Sequence, residues 1–142
     1  MTLSTEPISL FVDQINQTIP AGFFELNQSD WLDKVTKMTS HVLGDDYQLA
    51  INIINSQAMH DLNQTWRKKD ESTDILSFPY SENEGELFLC PSVILEKYSL
   101  YQRDLANFVY FLIIHGLYHL KGYDHGDEME TAEAETRTLF NI

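Results

Sequence analysis

The chain has 142 residues, 43% of them hydrophobic, and its 22 acidic and 9 basic side chains give a net charge of −13. That length suits one compact domain, residues 1–142, with a single core. The charge argues against broad affinity for nucleic acid, which Lys and Arg drive, and leaves room only for a local basic groove. One cysteine permits no internal disulfide, and the start Met1-Thr-Leu-Ser-Thr-Glu-Pro-Ile lacks the basic and apolar stretches of a signal peptide. The most apolar run, Phe108 to Leu120, falls short of the roughly 18 residues of a membrane span. A cytoplasmic protein in a reducing compartment, with no membrane partner, is expected.

In chain order, Ile8-Ser-Leu-Phe-Val-Asp13 alternates weakly and reads as a first strand. Asn27-Gln-Ser-Asp opens a helix to about Leu43, with Ser29 or Asp30 at its cap. Tyr47 to Ile54 is a strand, and Ser56 to about Trp66 a helix capped by Ser56, with Met59, Leu62 and Trp66 facing inward. Thr73 to Pro79 is extended and ends at a proline, as an edge strand does; after the turn-rich Ser81-Glu-Asn-Glu-Gly85, Glu86 to Cys90 completes a hairpin. Helices are predicted over about Pro91–Tyr98, Arg103–Lys121 and Glu128–Phe140, the last with a solvated acidic face. The sum is an α+β architecture, a small mixed four-stranded sheet backed by helices.

Two stretches carry chemistry. In His115-Gly-Leu-Tyr-His119-Leu-Lys-Gly122-Tyr-Asp-His125, the first two histidines lie four residues apart, one turn of a helix on one face. The apolar run before them desolvates both rings and so favours the neutral imidazole that a metal needs. Gly122 can take the left-handed conformation that ends a helix and returns His125 beside the pair. Three ligands and an open position describe catalytic zinc; a closed structural site takes four, mostly cysteines, and only Cys90 is present. Zinc proteases of this spacing carry a general-base Glu after the first His, where this chain has Gly116. A mid-helix glycine costs about 1 kcal/mol relative to Ala, so either something bulky sits over the metal or the helix packs tightly there. Asp124 is read as a helix-cap carboxylate or a partner orienting a ligand imidazole.

The second stretch, Leu62-Asn63 through Trp66-Arg67-Lys-Lys69-Asp70 to Thr73-Asp74-Ile-Leu-Ser77-Phe78-Pro79, places a basic triplet and hydroxyls at a helix-to-strand junction. Arg67, whose planar fork grips phosphate bidentately, is the candidate anion-binding residue, with Lys69 and Ser77 as further substrate contacts. The alternative is a solvated helix end complementing the helix dipole.

Together these stretches resemble the YbeY family of metal-dependent endoribonucleases, also described as an rRNA maturation factor family. The family's HGxLHLxGYDH is similar to His115 through His125, its LNxxYRxKDxPTDVLSFP to Leu62 through Pro79, and its GDIxIC to Gly85-Glu86-Leu-Phe-Leu-Cys90. Tyr118, Glu86, Lys68 and Ser72 depart from that pattern; the three histidines and Arg67 do not. The resemblance implies a fold related to the zinc-protease (metzincin-like) core and one metal, taken as zinc or another divalent transition metal, held by His115, His119 and His125. It implies Arg67 as the functional arginine of the substrate groove. It also implies a single-strand-selective endoribonuclease acting in small-subunit rRNA 3′-end maturation and ribosome quality control, with Era GTPase and a small-subunit ribosomal protein as partners.

A phosphodiester substrate makes sense of the missing glutamate, because a metal lowers the pKa of water toward ~7 and Arg67 can neutralise charge on the phosphate. Water and the RNA's own 2′-hydroxyl both stand as nucleophile. Two other readings remain: a non-catalytic RNA- or ribosome-binding assembly factor with a structural metal, and a metallohydrolase on another substrate.

Overall fold

A computed structural model of the chain describes residues 8–12 and 19–142. The element order is β1 (Ile8–Val12), α1 (Gln28–Leu43), β2 (Gln48–Ile53), α2 (Ser56–Arg67), β3 (Ile75–Ser81), β4 (Glu84–Leu89), α3 (Pro91–Lys97), a 3₁₀ turn (Tyr98–Tyr101), α4 (Leu105–Leu120) and α5 (Asp127–Leu139). Asp13 of the expected first strand, and the N-terminal segment read for a signal, lie outside the described residues. The strands form one mixed sheet in the order β1-β2-β4-β3. β1, β2 and β4 run parallel, and β3 pairs antiparallel with β4 at the edge. The expected α+β architecture is therefore present.

α4 is the centre of the core. Phe108, Val109, Tyr110, Leu112, Ile113, Ile114, Leu117 and Leu120 are all buried on it, on every side of the helix. Each large apolar side chain removed from water contributes about 1.5–3 kcal/mol relative to exposure. α4 lies across β3 and β4, flanked by α1 and α5. Strand alternation decides which side chains it meets. Leu49, Ile51, Ile53, Leu87 and Leu89 join the main core, while Leu76 and Cys90 form a smaller cluster with Met59 of α2.

The boundaries differ from the sequence reading in ways that have local causes. α1 is capped by Asn27, whose side chain accepts from the Asp30 amide at 2.8 Å, and α2 by Asn55, which accepts from the Ala58 amide at 2.8 Å. Asn and Ser cap about equally well, and in each case the asparagine, still extended, comes first. The hairpin turn is only Glu82-Asn83, so β4 begins two residues before Glu86. Trp66 is not in the core: it is 67% exposed and meets Phe78 edge-on at 6.5 Å. α2 ends one residue later, and its buried positions are Met59 and Asn63.

Among the described residues, no helix is long and apolar enough to cross a membrane.

Candidate metal centre

The end of α4 brings the histidines together. The Gly122 amide donates to the His119 carbonyl and the Tyr123 amide to the Tyr118 carbonyl, both at 3.0 Å, with Gly122 at φ +103. This paired closure is a Schellman motif, and the Tyr118 and Tyr123 rings, 5.3 Å apart, supply its apolar contact. The reversal returns His125 to a ring distance of 5.3 Å from His115 and 4.7 Å from His119. One nitrogen from each histidine lies within 4.8 Å of the others, so the three could hold a metal ion.

Each helical ring has its second nitrogen tied. His115 Nδ1 is 2.8 Å from Glu133 Oε1, and His119 Nδ1 is 3.2 Å from the Tyr123 carbonyl. A carboxylate and a carbonyl only accept, so both Nδ1 atoms carry the proton and donate it. Both Nε2 lone pairs then converge, 3.0 Å apart. Two acceptors at that distance repel unless a cation lies between them, and neutral imidazole nitrogens are the donors that zinc and similar ions take. The residues thus fit a divalent ion. Burial, reinforced by His115 and His125, holds the His119 imidazole below the ordinary histidine range, keeping it neutral near pH 7.

Glu133 was invisible in the sequence reading as anything but part of the acidic face of α5. It is 8% exposed and falls on the buried stripe of that helix, with Met129 and Thr136 at i−4 and i+3. An acid on such a stripe was the available signal. It performs the orienting role weighed for Asp124, which is exposed at the cleft rim, and the cap of α5 is Gly126. A partner of this kind fixes the ring and raises its basicity. Glu133→Gln is expected to weaken metal binding about tenfold and Glu133→Leu nearer a hundredfold, read by competition with a chromophoric chelator; unchanged affinity in both would make Glu133 a packing residue only.

The histidines open onto a cleft of about 710 Å³ that Arg67, Lys69 and Ser77 also line. The elements that carry them explain the placement. Arg67 ends α2, where Lys68 turns the chain at φ +59, and buried Asn63 holds the following loop. The Asn63 carbonyl accepts from the Lys69 amide at 3.3 Å, and its side chain donates to the Glu71 carbonyl at 2.9 Å. Asn63 is a positioning residue for the basic loop that the sequence reading passed over. Arg67 and Lys69 are exposed, and among the described residues no carboxylate forms an ion pair with either. Asp74 lies in the same wall but is engaged by the Ile75 amide at 2.8 Å and by Lys97 at 3.4 Å. The Ser77 hydroxyl donates to the Gly116 carbonyl at 3.3 Å.

That last contact decides between the two readings of Gly116. A Cβ there would lie 2.8 Å from Leu87 Cδ2, 2.9 Å from Ile75 Cδ1 and 3.1 Å from Ser77 Oγ. The glycine exists because α4 packs directly on β3 and β4, not to clear space over a metal.

The chain matches the family model described as endoribonuclease YbeY over residues 14–139. A relative from Alkaliphilus metalliredigens, named endoribonuclease YbeY, is 28% identical over 144 residues, covering 92% of this chain and 91% of that protein. One from Legionella pneumophila strain Corby, with the same name, is 34% identical over 112 residues, 70% of this chain and 71% of that protein. Among solved structures, the solution structure of TM1509 from Thermotoga maritima superposes with a TM-score of 0.61 at 22% identity, covering 91% of this chain and 85% of that one, a likeness of fold.

Proposed function

The chain belongs to the YbeY family of endoribonucleases, and on that premise we propose that it cuts single-stranded RNA with one zinc ion held by His115, His119 and His125. The observation that carries this reading is the pair of Nε2 atoms 3.0 Å apart, each ring tied at its other nitrogen, facing the cleft that Arg67 lines. A divalent ion bound there supplies a Lewis acid that polarises a phosphodiester and lowers the pKa of water toward ~7.

The chain's own residues do the rest. Arg67 grips a non-bridging phosphate pair with its fork and offsets the charge that develops on those oxygens. Lys69 adds a point charge on the same wall. Ser77 contacts the substrate as a donor only by exchanging the Gly116 carbonyl for a phosphate oxygen. With a net charge of −13, the wider surface repels RNA, so affinity resides in the cleft and falls with salt. The position after His115, where zinc peptidases carry their glutamate base, is Gly116, and the carboxylate that does reach His115, Glu133, is engaged with its Nδ1. The expected setting is small-subunit rRNA 3′-end maturation and ribosome quality control in the cytoplasm, with Era GTPase and a small-subunit ribosomal protein as partners. A relation to the zinc-protease core is part of the proposal, supported by a histidine pair one helical turn apart beside a mixed sheet with an antiparallel edge strand.

The test compares an end-labelled single strand with its duplex. Cleavage of the single strand alone, lost on chelation and restored by zinc or another divalent transition metal, is expected. Cleavage indifferent to chelation would remove the metal from the mechanism, and binding without cleavage would favour an assembly factor.

A further inference from the structure

Beyond the cleft lies a second hollow of about 350 Å³ that shares Phe111, His115 and His125 with it and is walled on its far side by Arg137. Phe111 precedes His115 by one turn of α4, so its ring borders the metal centre. Two guanidiniums gather on that ring: Arg103 at 4.5 Å and Arg137 at 5.2 Å from its centroid. They come from separate segments, the lead-in to α4 and the last turn of α5. Arg103 is steadied by the side chain of Asn107. Among the described residues, neither arginine forms an ion pair, although the chain has more than twice as many acids as bases. Burial first, and Arg137 next, hold the Arg103 pKa below its usual value, as expected of two cations held together without a counter-anion.

From this geometry we infer that Arg137, with Arg103 and the Phe111 ring, forms a second phosphate subsite for the RNA strand, next to the one at which the histidines and Arg67 act. The inference rests on the endoribonuclease reading and extends it by giving the strand a path. A phosphate beside the histidines has Arg67 in the first hollow. The strand then crosses Phe111 and meets Arg137 in the second. The arrangement suits phosphate because two guanidiniums held against one ring concentrate positive charge there, and a bound anion relieves their mutual repulsion. Tyr101, 5.7 Å from Phe111 and half exposed on the cleft side, adds an aromatic surface on which a base can stack. Of the two arginines only Arg137 borders the second hollow, with Arg103 behind it on the same ring. Asp127, Glu130 and Glu133 border the hollow too and repel a strand, so a phosphate there lies against Arg137.

The experiment is fluorescence anisotropy of the full-length protein with single-stranded oligoribonucleotides, one of about twelve nucleotides and one of two, across a salt series. Wild type is compared with Arg137→Gln, Arg103→Gln and Arg67→Gln, each checked by thermal melting. For the long oligonucleotide, Arg137→Gln is expected to weaken binding about tenfold and to lower the slope of log K against log salt by about 0.7, the loss of one phosphate contact. Arg103→Gln should do the same to a smaller degree, and Arg137→Lys should restore the slope but only part of the affinity. The dinucleotide, too short to reach both hollows, should lose affinity with Arg67→Gln and not with Arg137→Gln. If wild type binds the long strand and both Arg137→Gln and Arg103→Gln match it in affinity and slope, the second subsite is wrong and the endoribonuclease reading stands. If wild type binds neither oligonucleotide, both readings fall.

Discussion

A His119→Ala protein purified in parallel with wild type is expected to hold no stoichiometric divalent ion and to lose RNA cleavage by about a thousandfold or more, since a catalytic metal supplies several kcal/mol and each 1.36 kcal/mol is tenfold in rate. His119 is the best prepared of the three donors: burial keeps it neutral, and the Tyr123 carbonyl fixes which nitrogen faces the site. Its removal leaves His115 and the exposed His125, a two-ligand set that solvent competes with easily. Metal content by elemental analysis and cleavage of a labelled single strand are read on the same preparation. Identical purification matters, because a contaminating ribonuclease would give equal residual rates in both proteins. His125→Ala provides the control for folding: that ring is exposed, so its removal opens no cavity, yet it should copy the loss of metal and activity. Retained cleavage in either variant with the metal gone would mean that the reaction does not use these histidines.

Arg67→Ala is expected to separate what His119→Ala loses together. The metal content should stay at the wild-type level, and single-turnover cleavage should fall by roughly a hundred- to a thousandfold, the usual loss when one preorganised donor to a charged transition state is removed. Exposure of Arg67 at the end of α2 makes a folding defect a poor explanation of any loss. Arg67→Lys should recover only part of the rate, because an ammonium keeps the charge and gives up the bidentate fork. Cleavage at the wild-type rate in Arg67→Ala would reduce the residue to a solvated helix end that complements the helix dipole.

What sequence could and could not reveal divides along the range of the interactions. The elements and their order follow from local signals: the all-round apolar run of α4, the alternation of β2, the proline in the edge strand. The caps of α1 and α2 lie one to three residues before the expected ones because Asn and Ser stand close together at both helix starts, and nothing local says which takes the extended conformation first. Trp66 misled because helical period places it with Met59 and Asn63, but burial depends on what another segment covers, and the sheet meets it only at the edge of Phe78. The convergence of the histidines was legible because it is made within eleven residues by one helical turn and one reversal. Glu133 was not, since its partner lies eighteen residues away on another helix. The Arg103 and Arg137 pair on Phe111 needs three segments to meet, which only the assembled fold displays.

The contact at Gly116 bears on what this scaffold can become. A single codon change would put a glutamate after the first histidine, in the pattern of zinc peptidases. Here that side chain would begin inside the contact with Leu87 Cδ2, Ile75 Cδ1 and Ser77 Oγ, so these side-chain ends would have to move before the exchange could add a base. An engineered peptidase would have to repack Leu87 and Ile75 at the same time, and truncating such an apolar contact to Ala instead destabilises by about 2–5 kcal/mol. The packing of β3 and β4 thus bears on reaction type: the same contacts that seat the histidine helix crowd the position from which a glutamate-driven hydrolase would draw its base.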